Sequence, residues 1–224
     1  MGARLAVRRI DPGRLAAAVE RAVAERRRLG LQPPTMGASW PARVLLRLRY
    51  PLRYPLVFRT RKAWLDAYAD RVFGPWQRSL ETESAEAVDL GESWRDFAVV
   101  SDAWEWAGEW WRGAPPDAGP LARAVHGTHA PPDEMRSGLG SPVRFNTPEG
   151  VGWLSAALPE VDLESRIAAF DVDAVPPHIR PSWIDPDGTR RSDRVDRLLR
   201  AFDRLQGLYL RAACEGESVV CELG

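Results

Sequence analysis

Five of the chain's ten tryptophans fall within nineteen consecutive positions, "SWRDFAVVSDAWEWAGEWW", residues 93–111. At about 100° per residue, Trp94, Phe97, Ser101, Trp104, Gly108 and Trp111 share one sector at spacings of three and four, as on a helix that faces a core. Val99, Ala103, Trp106 and Trp110 form a second apolar sector, and Arg95, Asp102, Glu105 and Glu109 crowd into the gap that remains. A helix apolar around most of its circumference belongs in the middle of a domain. Each tryptophan buries roughly 150–250 Å², a surface too large to leave in water five times over on a chain of 224 residues. Trp94, Trp104 and Trp111 are therefore expected in the core. Trp106 and Trp110 either complete that core or line a groove.

The elements around this helix follow from local signals. "RLAVRRI" alternates as a strand, and "DPGRLAAAVERAVAERRRLG" reads as a helix with Asp11 as N-cap, Pro12 in the first turn and Gly30 past the end. "PLARAVHG" predicts a short helix, and "SPVRFNTPEGVGWLSAAL" a strand running into a helix capped by Thr147. "DLESRIAAFD" predicts another short helix. "RSDRVDRLLRAFDRLQGLYLRAAC" is a long amphipathic helix starting near Ser192, and "ESVVCEL" a last strand. Few strands, many helices and no strand–helix alternation predict an α+β fold, a small mixed or antiparallel sheet covered by several helices in one domain over residues 1–224.

Residues 31–85 look like an insert in that domain. Pro33, Pro34, Pro41, Pro51 and Pro55 interrupt the first half, and ten basic residues lie between Arg26 and Lys62 with no acid among them. Arg47, Arg49 and Arg53 alternate with Tyr50 and Tyr54, a pattern suited to an acidic partner or to nucleic acid. Residues 66–117 are strongly acidic, so the basic segment is expected to lie on the chain's own helices, with an external protein partner next in order. Over the whole chain 31 basic residues balance 31 acidic ones, which leaves no net field for a polyanion or an anionic membrane.

No arrangement spells out a reaction. GxSxG, HExxH, GxGxxG and the P-loop pattern are all missing. Glu105 and Glu109 sit one helical turn apart beside tryptophans, which is more commonly a solvated strip than a glycosidase pair. His126 and His129 in "HGTH", with Asp133 and Glu134 nearby, have a conceivable metal spacing but are read as a solvent-exposed loop. "DPDGTRRSDRVD" begins like a calcium loop at Asp185, yet Arg190 replaces the turn glycine and Asp196 the bidentate glutamate, so it is read as a turn before a helix. Cys214 and Cys221 match neither a redox nor a zinc spacing and are expected as buried free thiols. No metal and no cofactor is expected. The best indirect case for a site brings Arg144, Asp171, His178 and Trp183 to one edge of the sheet, although an Arg with a nearby Asp is more often a structural ion pair.

Five motifs in order, "DLGESWRDF", "VRFNTPEGVGWLSAAL", "RIAAFD", "IRPSWID" and "LQGLYLRAACEGESVVCEL", resemble the YfbM-like family of small bacterial proteins of unknown function. "IDPGRL" resembles that family's opening strand-to-helix step. The resemblance covers residues 88–223 and, more weakly, 1–20. Glu92, Ala98 and Arg180 depart from the family pattern. The resemblance implies an α+β fold and a bacterial cytosolic setting, and carries no catalytic residues across. The short apolar stretch at the N-terminus fits no signal peptide, in keeping with a cytoplasmic protein.

These readings favour a non-catalytic binding or protein-interaction domain, of accessory or immunity type, with a protein or a small ligand as partner. The alternative is a small enzyme using Arg144, Asp171 and His178 around a tryptophan-lined pocket.

Overall fold

A computed structural model describes residues 5–29, 76–91, 93–101, 114, 117–132, 143–171, 173, 181–185 and 187–223. Its centre is the strand β1 (Leu5–Ile10), whose alternation sends Leu5, Val7 and Arg9 to one face and Ala6, Arg8 and Ile10 to the other. β1 pairs antiparallel with β2 (Glu86–Gly91) on one side and β4 (Ser218–Leu223) on the other. β3 (Val143–Asn146) joins β4, which completes a four-stranded antiparallel sheet of order β2-β1-β4-β3. The α+β architecture is as expected.

β2, like the helical stretch at 76–83, is absent from the sequence expectations. "EAVDLG" does alternate, burying Val88 and Leu90 and exposing Ala87 and Asp89, but six residues next to a tryptophan-rich helix carry a weak signal. Gly91, at φ 55, closes the strand in a conformation that disfavours side chains.

Helices cover both faces. On one, α1 (Pro12–Leu29) turns Leu15, Ala18, Val19, Ala22 and Val23 onto Ile10, Val143, Phe145 and Val220. Trp76 and Leu80, from a helical stretch at 76–83, complete this layer. Asp11 caps α1 as expected, its Oδ1 accepting from the Arg14 N–H at 2.9 Å. Arg21 reaches across to Glu83 and ties the two helices together.

The larger core lies on the opposite face. Leu5, Val7, Val88, Leu90, Val219 and Cys221 meet α2 (Ser93–Val100), α3 (Pro120–His126), α4 (Pro148–Ala157), α5 (Leu163–Ala169) and α6 (Ser192–Glu215). Trp94 and Phe97 are buried in it, in line with the stripe read on the tryptophan helix, and Val99 of the second sector is buried too. Trp104, Trp106, Trp110 and Trp111 lie outside the described residues.

Thr147 and Asp162 cap α4 and α5, accepting from Gly150 and Ser165 amides. α6 starts at Ser192 as read; Arg191 is its N-cap and contributes no side-chain capping bond, while Asp193 supplies negative charge in the first turn. Gly216, left-handed at φ 68, ends α6, and the Glu217 amide returns to the Ala212 carbonyl at 2.8 Å. An arginine knot fastens this turn to the sheet. Arg9 contacts Glu86, Glu215 and Glu217 at 3.1, 3.0 and 2.9 Å, and Arg211 grips the two oxygens of Glu86 at 2.6 and 2.9 Å. No helix among the described residues is long and apolar enough to cross a membrane.

Candidate functional site

The densest gathering of buried polar groups lies where α3 ends against β3, β4 and α6. α3 has only seven residues, so most of its carbonyls lack an intrahelical partner. Side chains from three other elements supply the donors. Asn146 Nδ2 donates to the Arg123 carbonyl at 3.1 Å, and the Tyr209 hydroxyl donates to the Ala124 carbonyl at 2.8 Å. The Cys221 thiol also donates to the Ala124 carbonyl, at 3.3 Å. Arg144 follows the chain onward, with Nε 3.4 Å from the Gly127 carbonyl and Nη2 3.2 Å from that of Thr128. Its positive charge sits at the negative end of the helix.

Asn146 is the centre of the cluster. Its Oδ1 accepts from the Thr128 amide and hydroxyl at 3.1 and 2.9 Å, and its Nδ2 also donates to the Tyr209 oxygen at 2.8 Å. The Asn146 side chain thus has all its main valences filled while fully buried. Gly127 is required here. At φ 67 a Cβ would come within 2.9 Å of the Arg144 Cβ and 3.0 Å of the Phe145 amide nitrogen.

Burial sets the protonation of the cluster. His126 is 2% exposed, its ring edge-on to Trp94 at 6.2 Å. Burial first, and then the Arg144 charge, push its pKa down to about 4. Burial pushes the Cys221 thiol up to about 12 and holds the Tyr209 phenol well above its ordinary range. At neutral pH the three are uncharged. Such a thiol offers no thiolate for nucleophilic attack, and such an imidazole is a weak base.

Arg144 therefore lies where a strand was expected, on the edge strand β3, with its guanidinium turned to main-chain carbonyls. Trp183 is fully buried and packs edge-on to Phe170 at 5.2 Å. That contact brings Trp183 beside the end of α5, where Asp171 is exposed and accepts from the Asp173 amide at 3.0 Å. His178 lies outside the described residues, as do Arg47, Arg49, Tyr50, Arg53 and Tyr54 of the basic segment, and Glu105, Glu109, Asp133 and Glu134.

Two expectations need correction. "HGTH" is not a solvent-exposed loop throughout: His126 ends α3 in the core, while His129 pairs its main chain with Phe145 at 2.8 and 2.9 Å and stacks on that ring at 5.5 Å. Packing of α3 on the sheet decides this. Of the two thiols, Cys221 is buried but Cys214 is exposed, because α6 turns Leu205, Leu208 and Ala212 inward and leaves 214 on the outer face. The Asp185–Thr189 turn is as read, with Gly188 at φ 86 and its amide on the Asp185 carbonyl at 2.9 Å. Among the described residues no three His, Cys, Asp or Glu side chains gather as a metal-binding group.

The residues missed are those that hold the fold shut. Asp96 is 5% exposed, and its two oxygens accept from the Ser182 amide at 2.8 Å and hydroxyl at 2.7 Å. The only trace of this in the sequence is an acid amid the apolar sector of a core helix. Asn146 and Tyr209, 63 positions apart, carry no mutual signal.

Among curated proteins, none matches this chain in sequence. The crystal structure of YfbM from Escherichia coli, a protein of unknown function, is similar at a TM-score of 0.48 and 10% identity, with 99% of each chain covered. The family model described as "Domain of unknown function (DUF1877)" matches residues 60–221, starting inside the segment expected as an insert. With most of its length matched by that model, the chain belongs to the DUF1877 family.

Proposed function

We propose that this protein is a non-catalytic binding domain that works through contact with another protein. The observation that supports the reading is the state of the α3–β3–α6 cluster: Arg144, Asn146, Tyr209 and Cys221 donate to main-chain carbonyls, and His126, Tyr209 and Cys221 are held neutral. Groups poised for catalysis have pKa values drawn toward the working pH, whereas burial here drives His126 and Cys221 away from it. A cluster of this kind is suited to rigidity, and a rigid fold presents its surface to a partner with little ordering cost.

The enzyme reading built on Arg144, Asp171 and His178 has less support, since Arg144 faces carbonyls and Asp171 caps its own loop. A native mass spectrum of the protein purified from its own host tests the choice. The expected result is a stoichiometric polypeptide partner; a stoichiometric small molecule released on Arg144→Gln substitution would overturn it.

A further inference from the structure

α4 is an unusually apolar helix for its position. It buries Val151 and Leu154 but turns Gly152, Trp153 and Ala156 outward, and Pro159 follows them just beyond its end. Trp153 is 45% exposed, against 2% or less for Trp76, Trp94 and Trp183. Arg123 of α3 lies over that ring, its guanidinium carbon 4.5 Å from the centroid.

Arg123 has no carboxylate within reach among the described residues, although Arg8, Arg9, Arg21, Arg191 and Arg211 all have one. Its Nε is buried there without a hydrogen-bond acceptor. A guanidinium held over a tryptophan ring with no carboxylate partner among the described residues is suited to a two-oxygen acceptor.

The geometry points to the Trp153–Arg123 platform as a docking surface for a partner protein that presents a single carboxylate beside an apolar side chain. With Nε buried, the carboxylate meets the two terminal Nη groups of Arg123, and the apolar side chain lies against Trp153, Gly152 and Ala156. Charge also limits the occupant. Glu149, one turn before Trp153, and Glu160, just past the helix end, are both exposed, so an acidic run or a nucleic-acid backbone is repelled where one centred carboxylate is accepted. A tryptophan with a stacked arginine has the composition of an interface anchor.

This surface rests on the protein-interaction reading above, and a displayed library of random short peptides tests it separately. Selection on the parent is expected to enrich Asp or Glu beside Leu, Ile or Phe. A peptide from that pool should bind Arg123→Glu and Trp153→Ala at least about 10-fold more weakly by fluorescence anisotropy. Selection on Arg123→Glu should enrich Lys or Arg in place of the acid, an inversion that loss of folding cannot produce.

A pool with no charge preference, or one that binds both variants as well as the parent, overturns the proposal. So does sedimentation showing a dimer of the parent that Trp153→Ala dissociates, which would make the occupant a second copy. If a host partner remains bound to Arg123→Glu and Trp153→Ala in the native mass spectrum, the interaction reading stands and this surface falls.

Discussion

Acidification should destabilise this protein in large part through one residue, His126. The side chain is 2% exposed and sits beside Arg144, so the fold accepts it only as the neutral ring, with its pKa pushed down to about 4. In an unfolded chain the same imidazole takes a proton near its ordinary value of about 6.5. Below that pH the unfolded state binds a proton that the folded state refuses, so stability falls as pH falls. The loss begins near pH 6.5 and is complete near pH 4, where the folded state also protonates. At about 1.4 kcal/mol per tenfold difference in proton affinity, the full loss is about 3 kcal/mol, a large share of the 5–15 kcal/mol typical of a folded domain. Glu222 works the other way, because burial raises its carboxyl pKa and favours the fold as the acid forms. Comparison with His126→Gln removes that contribution, which both proteins share. Urea unfolding of parent and variant at about pH 7.5 and about pH 4.5 should give a stability difference that narrows or reverses by 2–3 kcal/mol toward acid. Parallel loss in the two proteins would refute the reasoning, as would an NMR titration of the His126 ring with a midpoint at or above its ordinary value.

Two further substitutions read the fold. Asp96→Asn keeps the shape but weakens the charge-assisted bonds that hold Ser182, and should lower stability by about 1–3 kcal/mol in urea unfolding. An unchanged midpoint would mean that buried Trp183 and Ile184, with the main-chain bonds to Thr189 and Arg191, hold the 181–185 segment without Asp96. Gly127→Ala combines a strained φ with a 2.9 Å approach to Arg144, so it should cost about 2–4 kcal/mol and lower the thermal midpoint; a neutral result would show that β3 can shift away from α3.

Much of the secondary structure was legible because its causes are local. Asp11 with Pro12, and Thr147 with Pro148, announce helix starts through hydrogen bonds only three residues long. β1 and α6 announce themselves by periodicity, and Trp94 and Phe97 by sheer apolar area. β2 escaped because a six-residue alternation means little until β1 supplies its partner. Cys214 and Cys221 look alike in sequence, and the difference between them is the side of α6 against the interior of β4.

The site residues divide in the same way. The sequence by itself determined that Arg144 stands on a strand of the sheet and that Trp183 is large and apolar enough to demand a place inside. Only the tertiary structure decided that the Arg144 guanidinium turns to the carbonyls of Gly127 and Thr128, that His126 is sealed beside it, and that Trp153 stays at the surface under Arg123. Those outcomes depend on helix and strand packing that joins residues 17 to 63 or more positions apart. A local pattern sets which face of an element is apolar; what that face meets, and so whether a charge is buried, paired or left exposed, depends on elements whose distance along the chain carries no signal of their contact.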